Sequence, residues 1–302
     1  MKNIQNLFLA AATVLIISGC ASVDQNAAKK IGAFSAATDL ATQNTSAAFE
    51  SLDREHFNLT IARDVAKGGW ETLDAKSIAP FLKPEDLQAR ILVLQGLQAY
   101  AEKLSAIMGN EQMDALDKAT QDLSVSLKNV DDEFVKSKFL STAPLSSSEL
   151  RIASTAINAI GHWIIEAKRE RGVKASIKEM NPYVTNIVDL LARDFVVLRR
   201  NQAKTYDETV MAQKLFVKNN IATMDAATKR NEIKAIADLI IEANNADHTM
   251  ALMQKSIVQL GETHAQLATA FDKSSVKLDK LLADLASEGK RVKKFYDSVG
   301  QK

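Results

Sequence analysis

The sequence predicts an all-α protein, folded as an elongated bundle of about six long antiparallel helices with coiled-coil-like packing. Three observations support this fold class. The 302 residues include only 11 glycines and 4 prolines, whereas strands joined by tight turns need more of both. Hydrophobic residues make up 46% and charged residues 25%, which suits a sizeable core with a solvated surface. Apolar residues recur at intervals of three and four, as they do in amphipathic helices.

The first residues are typical of an export signal. Lys2 supplies a positive charge, and an apolar stretch follows over residues 7–17. This stretch is too short to span a bilayer, which requires about 20 apolar residues. It leads into the sequence Ile17, Ser18, Gly19 and Cys20, which contains the only cysteine of the chain.

This ending resembles the bacterial lipobox, in which an aliphatic residue and two small residues precede an obligatory cysteine. The resemblance covers only the first 20 or so residues. It implies that Ile17, Ser18 and Gly19 are recognised for cleavage, and that Cys20 carries a diacylglyceryl thioether and an N-acyl group. Such an anchor is stable because each buried CH₂ contributes about 0.8 kcal/mol. No other cofactor is expected. The alternative is an ordinary secretory peptide with an incidental cysteine.

The resemblance also implies a location. Residue 21 is alanine, whereas an aspartate after the cysteine commonly retains enterobacterial lipoproteins in the inner membrane. An outer-membrane lipoprotein that faces the periplasm is therefore expected. The signal peptide would be 1–19, and 20–302 would form a single helical-bundle domain, with 20–143 and 144–302 as an alternative subdivision. Because lipidation consumes the only thiol, the fold must be held by packing rather than by disulfides.

The first helix of the body is predicted over residues 24–66, which contain no proline and only one glycine. Its buried face is marked by Ile31, Phe34, Phe49, Leu52 and Leu59. Gly68 and Gly69 end it, since glycine is the usual residue just past a helix C-terminus. Residues 67–83 form an irregular connection that Trp70, Phe81 and Leu82 are expected to hold against the bundle.

The second helix is predicted to begin at Pro84, because proline suits the first helical position and acidic residues follow in the first turn. Its apolar face consists of Leu87, Ile91, Leu94, Ala101, Leu104 and Met108. A break at Gly109 then leads to a further helix over 113–134. The short connection makes the two helices antiparallel neighbours.

Residues 141–150 are predicted to form a loop of small residues, in which Ser146 and Glu149 fit a capping box for the next helix. That helix carries the apolar stretch 152–165. Its length matches a buried core helix and is shorter than a transmembrane span. The alternative is a stretch that inserts into membranes, as in helical pore-forming toxins.

The residues from Tyr183 to Lys302 are predicted to form two long helices, with one very long helix as the alternative. Asn181 and Pro182 suggest a helix start, and no proline follows. Breaks are expected near Asn219-Asn220 and near residues 244–247, where residues with low helix propensity cluster. A heptad from Ile233 to Val299 has 14 apolar residues among its 20 seam positions. The six exceptions are Asp247, Gln254, Gly261, His264, Ser275 and Gly289, and His264 is expected to lie beside solvent.

The charge balance and the histidines bear on the function. Without residues 1–19 the chain has 37 basic and 37 acidic residues, so nucleic-acid binding, which needs clustered positive charge, is disfavoured. His162 and Glu166 are four residues apart, and Asp53 and His56 are three apart. Neither pair has the companion carboxylates of a di-metal site in a bundle core, so no metal is expected.

The sequence contains no recognisable catalytic motif. The serines at 146–148 fit a linker and cap better than a nucleophile, and Gly68-Gly69 is not followed by the lysine of a phosphate-binding loop. Enzyme activity is not expected. The leading hypothesis is a structural or protein-interaction module attached to the membrane by its lipid. Its partner would be an envelope protein complex, peptidoglycan or a second copy of the chain. The alternative is a membrane-active protein that inserts residues 152–165.

Overall fold

The computed structural model describes residues 25–69, 71, 74, 78–109, 155–156, 159–160, 163, 173–270 and 274–299. These residues contain no strand, and they form five long helices: α1 Gln25–Ala66, α2 Pro84–Gly109, α3 Val173–Asn220, α4 Ala226–Ala270 and α5 Val276–Val299. The described residues between 155 and 163 are also helical. The predicted all-α class is confirmed, with five long helices where about six were expected. Trp70, the helix at 113–134 and the loop at 141–150 lie outside the described residues.

Helix α1 lies at the centre of the arrangement, and α2 runs antiparallel to it. The Leu82 amide donates to Asp53 Oδ1 over 2.9 Å, and Gln98 Nε2 donates to Asp39 Oδ1 over 2.7 Å. As the residue number falls along α1, it rises along α2.

Helix α3 runs parallel to α1. The rings of Phe49 and Phe195 stack with centroids 5.3 Å apart, and Thr209 Oγ1 donates to the Leu59 carbonyl over 3.2 Å. At 1.5 Å per residue, the 48 residues of α3 extend about 70 Å, so the molecule is elongated as predicted.

Helices α4 and α5 complete the alternation of directions. Gln254 Nε2 donates to the Ala192 carbonyl over 3.1 Å, and Arg199 Nη2 donates to Asp247 Oδ2 over 2.6 Å, so α4 runs antiparallel to α3. Asn44 Nδ2 donates to the Gly289 carbonyl of α5 over 2.8 Å. One hydrophobic core therefore joins helices from both ends of the chain.

The buried face predicted for α1 is fully buried in the structure, whereas the face predicted for α2 is only partly buried. All five α1 residues are buried. In α2, Leu94, Ala101 and Leu104 are buried, whereas Leu87, Ile91 and Met108 are only half-buried. The buried surface of α2 is wider than one face and also includes Ala89, Leu92, Val93, Leu97 and Tyr100. Phe81 and Leu82 pack against the core, as expected for the connection.

The end of α1 has the predicted glycine termination. Gly68 has a φ of 79°, which an L side chain rarely adopts. The Gly69 amide donates to the Asp64 carbonyl over 2.9 Å, and the Gly68 amide donates to the Val65 carbonyl over 3.0 Å. These two bonds are those of a Schellman motif, which satisfies the last carbonyls of the helix.

The helix start predicted at Asn181-Pro182 is wrong, because Pro182 lies inside α3. An interior proline costs a helix about 3 kcal/mol. Buried apolar residues on both sides of Pro182 offset that cost, since they share one face and hold the helix to the core. They include Val173, Ile177 and Met180 before the proline and Val184, Ile187 and Val188 after it.

The end of α3 at Asn220 confirms the break expected near Asn219-Asn220, but the break expected at residues 244–247 is wrong. Helix α4 continues through them to Ala270, and Arg199 Nη2 donates to Asp247 Oδ2 over 2.6 Å across the helix pair. The actual break separates α4 from α5. There Ser275 Oγ accepts from the Leu278 amide over 3.3 Å, as an N-cap does.

Candidate functional site on the distal hairpin

The far ends of α3 and α4 form an antiparallel pair, here named the distal hairpin (residues 204–247). Gln213 Nε2 donates to Glu232 Oε2 over 2.6 Å between its two arms. At the turn, Asp225 Oδ1 accepts from the Thr228 amide over 2.7 Å and caps α4. Hydrogen bonding to that amide lowers the pKa of Asp225.

The distal hairpin extends past its neighbour α1. Arg63 Nη1 donates to Glu208 Oε2 over 3.0 Å close to the end of α1 at Ala66. Helix α3 nevertheless continues to Asn220. Among the described residues of α4, none before Thr249 is buried, whereas the rest of that helix supplies twelve buried residues. The distal hairpin is thus the least covered part of the described bundle.

Large apolar side chains are exposed on this hairpin. Of the nine large hydrophobic residues that the structure describes as exposed, six lie on it, with exposed fractions from 40% to 73%. These six are Met211, Leu215, Ile221, Ile233, Ile240 and Ile241. Single exposed apolar residues are ordinary on a protein surface, but a concentration of them at one end of a molecule marks an interaction site.

Four exposed residues of α4 form a line here named the α4 stripe: Ile233, Ala237, Ile240 and Ile241. Their spacing of four, three and one residues places them on one side of the helix. The half-buried residues of the same segment, which include Ile236, Leu239 and Ala243, occupy a different side. The heptad prediction that Ile233 and Ile240 face a core is therefore wrong. The seam becomes buried only from Met250 onward.

The distal hairpin is mainly basic near its turn and mainly acidic farther from it. The segment nearest the turn, residues 214–234, has five basic and two acidic residues. The residues farther from the turn, 204–213 and 235–247, have one basic and five acidic residues. The basic residues near the turn are Lys214, Lys218, Lys229, Arg230 and Lys234, and the acidic residues farther away are Asp207, Glu208, Asp238, Glu242 and Asp247.

A second group of polar side chains lies inside the bundle around His264. His264 Nδ1 lies 3.0 Å from Asn181 Oδ1, and Tyr100 Oη lies 2.8 Å from His264 Nε2. Because an amide oxygen can only accept, Nδ1 carries the proton and Nε2 accepts from the tyrosine hydroxyl. Burial lowers the pKa of His264 to about 3. The expectation that His264 lies beside solvent is wrong, since its exposed fraction is 0% and α2 covers it through Tyr100.

Glu55 links α1 to α3 in a third polar group. Tyr206 Oη donates to one carboxylate oxygen of Glu55, and Gln202 Nε2 donates to the other over 2.9 Å. Burial raises the pKa of Glu55, and the charge of Glu242 adds to the rise, while the two hydrogen bonds oppose it. The adjoining cleft has no room for a water molecule in this structure. The carboxylate therefore serves as a link between helices.

A buried ion pair joins α2 to α3. Arg90 Nε and Nη2 donate to the two carboxylate oxygens of Asp194 over 2.6 and 2.7 Å, and Arg90 Nη1 donates to the Asp86 carbonyl over 2.8 Å. Burial raises the pKa of Asp194, and the positive charge of Arg90 opposes the rise. This bidentate pairing of guanidinium and carboxylate fixes the position of α2 on α3.

The structure separates some of the residues that the sequence singled out. The Asp53 carboxylate accepts a hydrogen bond from the Leu82 amide, whereas the ring centroid of His56 lies 5.5 Å from that of Phe81. Burial lowers the pKa of His56. Within the described ranges, no cluster of three or more His, Cys, Asp or Glu side chains is placed to hold a metal ion. None of the described helices has an apolar segment that would cross a bilayer.

Other predicted residues are placed differently or not described. Ala156, Ile160 and Trp163, from the apolar stretch 152–165, are buried in the core, and the Trp163 ring lies 4.8 Å from that of Tyr100. Membrane insertion of this stretch would require all three to leave the core. The following residues lie outside the described part: Ile17, Ser18, Gly19, Cys20, Ser146, Glu149, His162 and Glu166.

Comparison with known proteins adds no assignment to these features. No protein-family model, curated protein or solved structure matches the chain. The evidence for its function therefore consists of its own residues and their arrangement.

Sequence reasoning missed the distal hairpin, although one signal was present. Ile240 and Ile241 are adjacent, and both are apolar, so a single narrow seam cannot contain both. Met211 and Leu215, four residues apart on α3, are a second such signal. When the apolar surface of a helix is wider than its contact with one neighbouring helix, the extra surface indicates a second contact.

Proposed function

We propose that this chain is an outer-membrane-anchored periplasmic lipoprotein that acts as a structural or protein-interaction module, with the distal hairpin as its contact surface. The observation that carries the proposal is the concentration of exposed apolar side chains on the distal hairpin. Burying such side chains against a partner is favourable in proportion to the apolar area removed from water.

The direction of the helices supports this role. Helix α1 begins at Gln25, close behind the predicted lipid attachment at Cys20. Since α3 runs parallel to α1 and extends about 70 Å, its end at Asn220 lies far from that attachment. An anchor at one end and an apolar contact surface at the other would present the surface away from the membrane.

Photo-crosslinking in living cells tests the contact surface. Benzoylphenylalanine is placed at Leu215 in the full-length chain, and at Val276 as a matched control. Val276 is a large aliphatic residue that is 85% exposed on α5, away from the distal hairpin. We expect crosslinked adducts from position 215 and none from position 276. Equal adducts from both positions, or none from position 215, would reject the distal hairpin as the contact surface.

Metabolic labelling tests the anchor. Cells that express the full-length chain receive an alkyne analogue of palmitate, and their membrane and soluble fractions are compared. We expect label and membrane association for the natural chain, and loss of both for the Cys20→Ala variant. If the variant keeps the label, the lipid is attached elsewhere and this part of the proposal fails.

A further inference from the structure

We infer that the end of the distal hairpin nearest the turn docks on the surface of an anionic lipid bilayer. This end, residues 214–234, is here named the hairpin tip. The inference names a partner for part of the contact surface proposed above, and rests on that proposal. Three features carry it: basic side chains that have no partner within the described chain, aliphatic side chains exposed beside them, and the projection of the tip beyond α1.

The basic side chains of the hairpin tip are available to a partner. Of its five basic residues, four make no side-chain hydrogen bond or ion pair with a described residue: Lys214, Lys218, Lys229 and Arg230. The two acidic residues of the tip are occupied, since Asp225 accepts from the Thr228 amide and Glu232 accepts from Gln213. The tip is therefore locally positive, although the chain from residue 20 onward has 37 basic and 37 acidic residues.

The acidic residues farther from the turn do not cancel this charge, because three of the five are paired within the chain. Asp247 accepts from Arg199, and Glu208 accepts from Arg63. Asp238 pairs with Lys234, the fifth basic residue of the tip. The positive charge of the other four basic residues is left for a partner of opposite charge.

Aliphatic side chains lie among these basic residues. Leu215, Ile221 and Ile233 are 54%, 40% and 55% exposed, and the only aromatic residue of the tip, Phe216, is half-buried. Protein interfaces are enriched in aromatic residues and arginine and depleted in lysine. Lysines interspersed with exposed aliphatic side chains are instead typical of helices that lie on anionic membranes. The composition of the tip thus favours a lipid surface over an acidic protein.

The hairpin tip also projects to where a flat surface can reach it. Arg63 donates to Glu208 three residues before α1 ends at Ala66, whereas the tip begins six residues after Glu208. Because α3 runs parallel to α1, the tip lies beyond the end of α1 and far from the predicted lipid at Cys20. A chain held by that lipid would therefore meet a second bilayer with its tip.

Vesicle sedimentation tests the docking directly. The chain from residue 21 to residue 302 contains every described residue and lacks the predicted lipid, so its binding reports on the protein surface alone. Vesicles of phosphatidylcholine are compared with vesicles of equal parts phosphatidylcholine and phosphatidylglycerol. We expect the chain to sediment with the anionic vesicles at low salt and to remain in solution with the neutral ones. High salt should release it, because salt screens the attraction between exposed charges.

Two pairs of lysines give a matched comparison. Lys214 and Lys218 are exposed on the tip, whereas Lys277 and Lys280 are exposed on α5. Changing both lysines of a pair to glutamine removes the same charge in each case. We expect the tip pair to weaken binding about 25-fold, since each basic residue near an anionic surface contributes about fivefold, and the α5 pair to leave binding unchanged. Equal weakening by both pairs, or no binding by the natural chain, would overturn the inference.

The lipidated full-length protein separates the docking from the anchor. The protein is purified from cells and placed in phosphatidylcholine vesicles, and anionic vesicles are then added. We expect turbidity to rise as the tips tether the anionic vesicles, and no rise with the variant that carries Lys214→Gln and Lys218→Gln. A protein that enters the first vesicles without tethering the second refutes the docking alone. A protein that does not enter them refutes the anchor alone, because sedimentation of residues 21–302 decides the docking.

Benzoylphenylalanine at Ile221 identifies the occupant in living cells. Ile221 directly follows the end of α3 and lies at the turn. An adduct with phospholipid supports the docking. An adduct with a protein and none with lipid overturns it, while the distal hairpin would still be a contact surface as proposed above.

Discussion

Replacement of His264 by glutamine is expected to make the stability of the protein less sensitive to acid. His264 lies at 0% exposure between Tyr100 and Asn181 and stays neutral in the folded protein. Glutamine keeps a hydrogen-bond donor and an acceptor at this position, but its side chain does not take up a proton in this pH range. The comparison therefore isolates the protonation of one imidazole from the other titrating groups.

The magnitude follows from the two pKa values of the imidazole. Burial lowers the pKa of His264 from 6.5 to about 3 in the folded protein, while the unfolded chain keeps the ordinary value. Below pH 6.5 the unfolded chain binds a proton that the folded protein does not bind. Stability from this group is thus complete above pH 6.5 and is lost as the pH falls toward 3. Between pH 7.5 and pH 5.0 the loss is about 2 kcal/mol.

Urea denaturation at a series of pH values measures this difference. The free energy of unfolding of the natural chain should fall between pH 7.5 and pH 5.0 by about 2 kcal/mol more than that of the His264→Gln variant. The His248→Gln variant is a matched control, because it replaces an exposed histidine and leaves the His264 imidazole in place.

Parallel pH dependence in the natural chain and the His264→Gln variant would refute the reasoning. If the variant does not fold, nuclear magnetic resonance of the natural chain gives the same answer. Four histidines are present in the sequence, and with a pKa of about 3 the imidazole of His264 should be only about one-tenth protonated at pH 4. An imidazole assigned to His264 that titrates near pH 6.5 would mean that the ring is not buried neutral.

Two further predictions concern close contacts in the core. Gly261→Ala should destabilise the fold by about 1–3 kcal/mol in urea denaturation, because the added Cβ would lie 2.8 Å from Val188 Cγ1. The control Gly32→Ala should be neutral or stabilising, because no atom lies within 4 Å of the added Cβ. Asp194→Asn should cost about 3–5 kcal/mol by removing the carboxylate that lies 2.6 Å from the buried Arg90, and the double change Arg90→Met with Asp194→Leu should recover most of that loss. Equal unfolding midpoints for the two alanine variants, or no recovery in the double variant, would contradict the packing described.

Local sequence signals were sufficient for much of the fold. The boundaries of α1 followed from the absence of proline and from Gly68, because a positive φ is a requirement of the helix end itself. The start of α2 at Pro84 followed in the same way. Pro182 was misassigned because its effect on a helix depends on tertiary contacts. The buried residues on both sides of it hold α3 together, and no local pattern reveals those contacts.

The exceptions in the predicted heptad are explained by neighbouring helices. Gly261 approaches Val188 so closely that a Cβ does not fit, and Gly289 is equally close to Leu40. His264 is accommodated because Tyr100 and Asn181 supply hydrogen bonds from two other helices. A heptad pattern records that a position faces another helix. It does not record how close that helix lies or which polar groups it brings.

The distal hairpin shows the same limit at the level of function. The spacing of Ile233 and Ile240 is typical of a contact with a helix, but both are exposed, and the half-buried residues of this segment, such as Leu239, lie on a different side of α4. The apolar pattern on α4 therefore exceeds what the described part of one chain covers. Apolar side chains left uncovered on a second side of a helix mark a surface that can make a further contact.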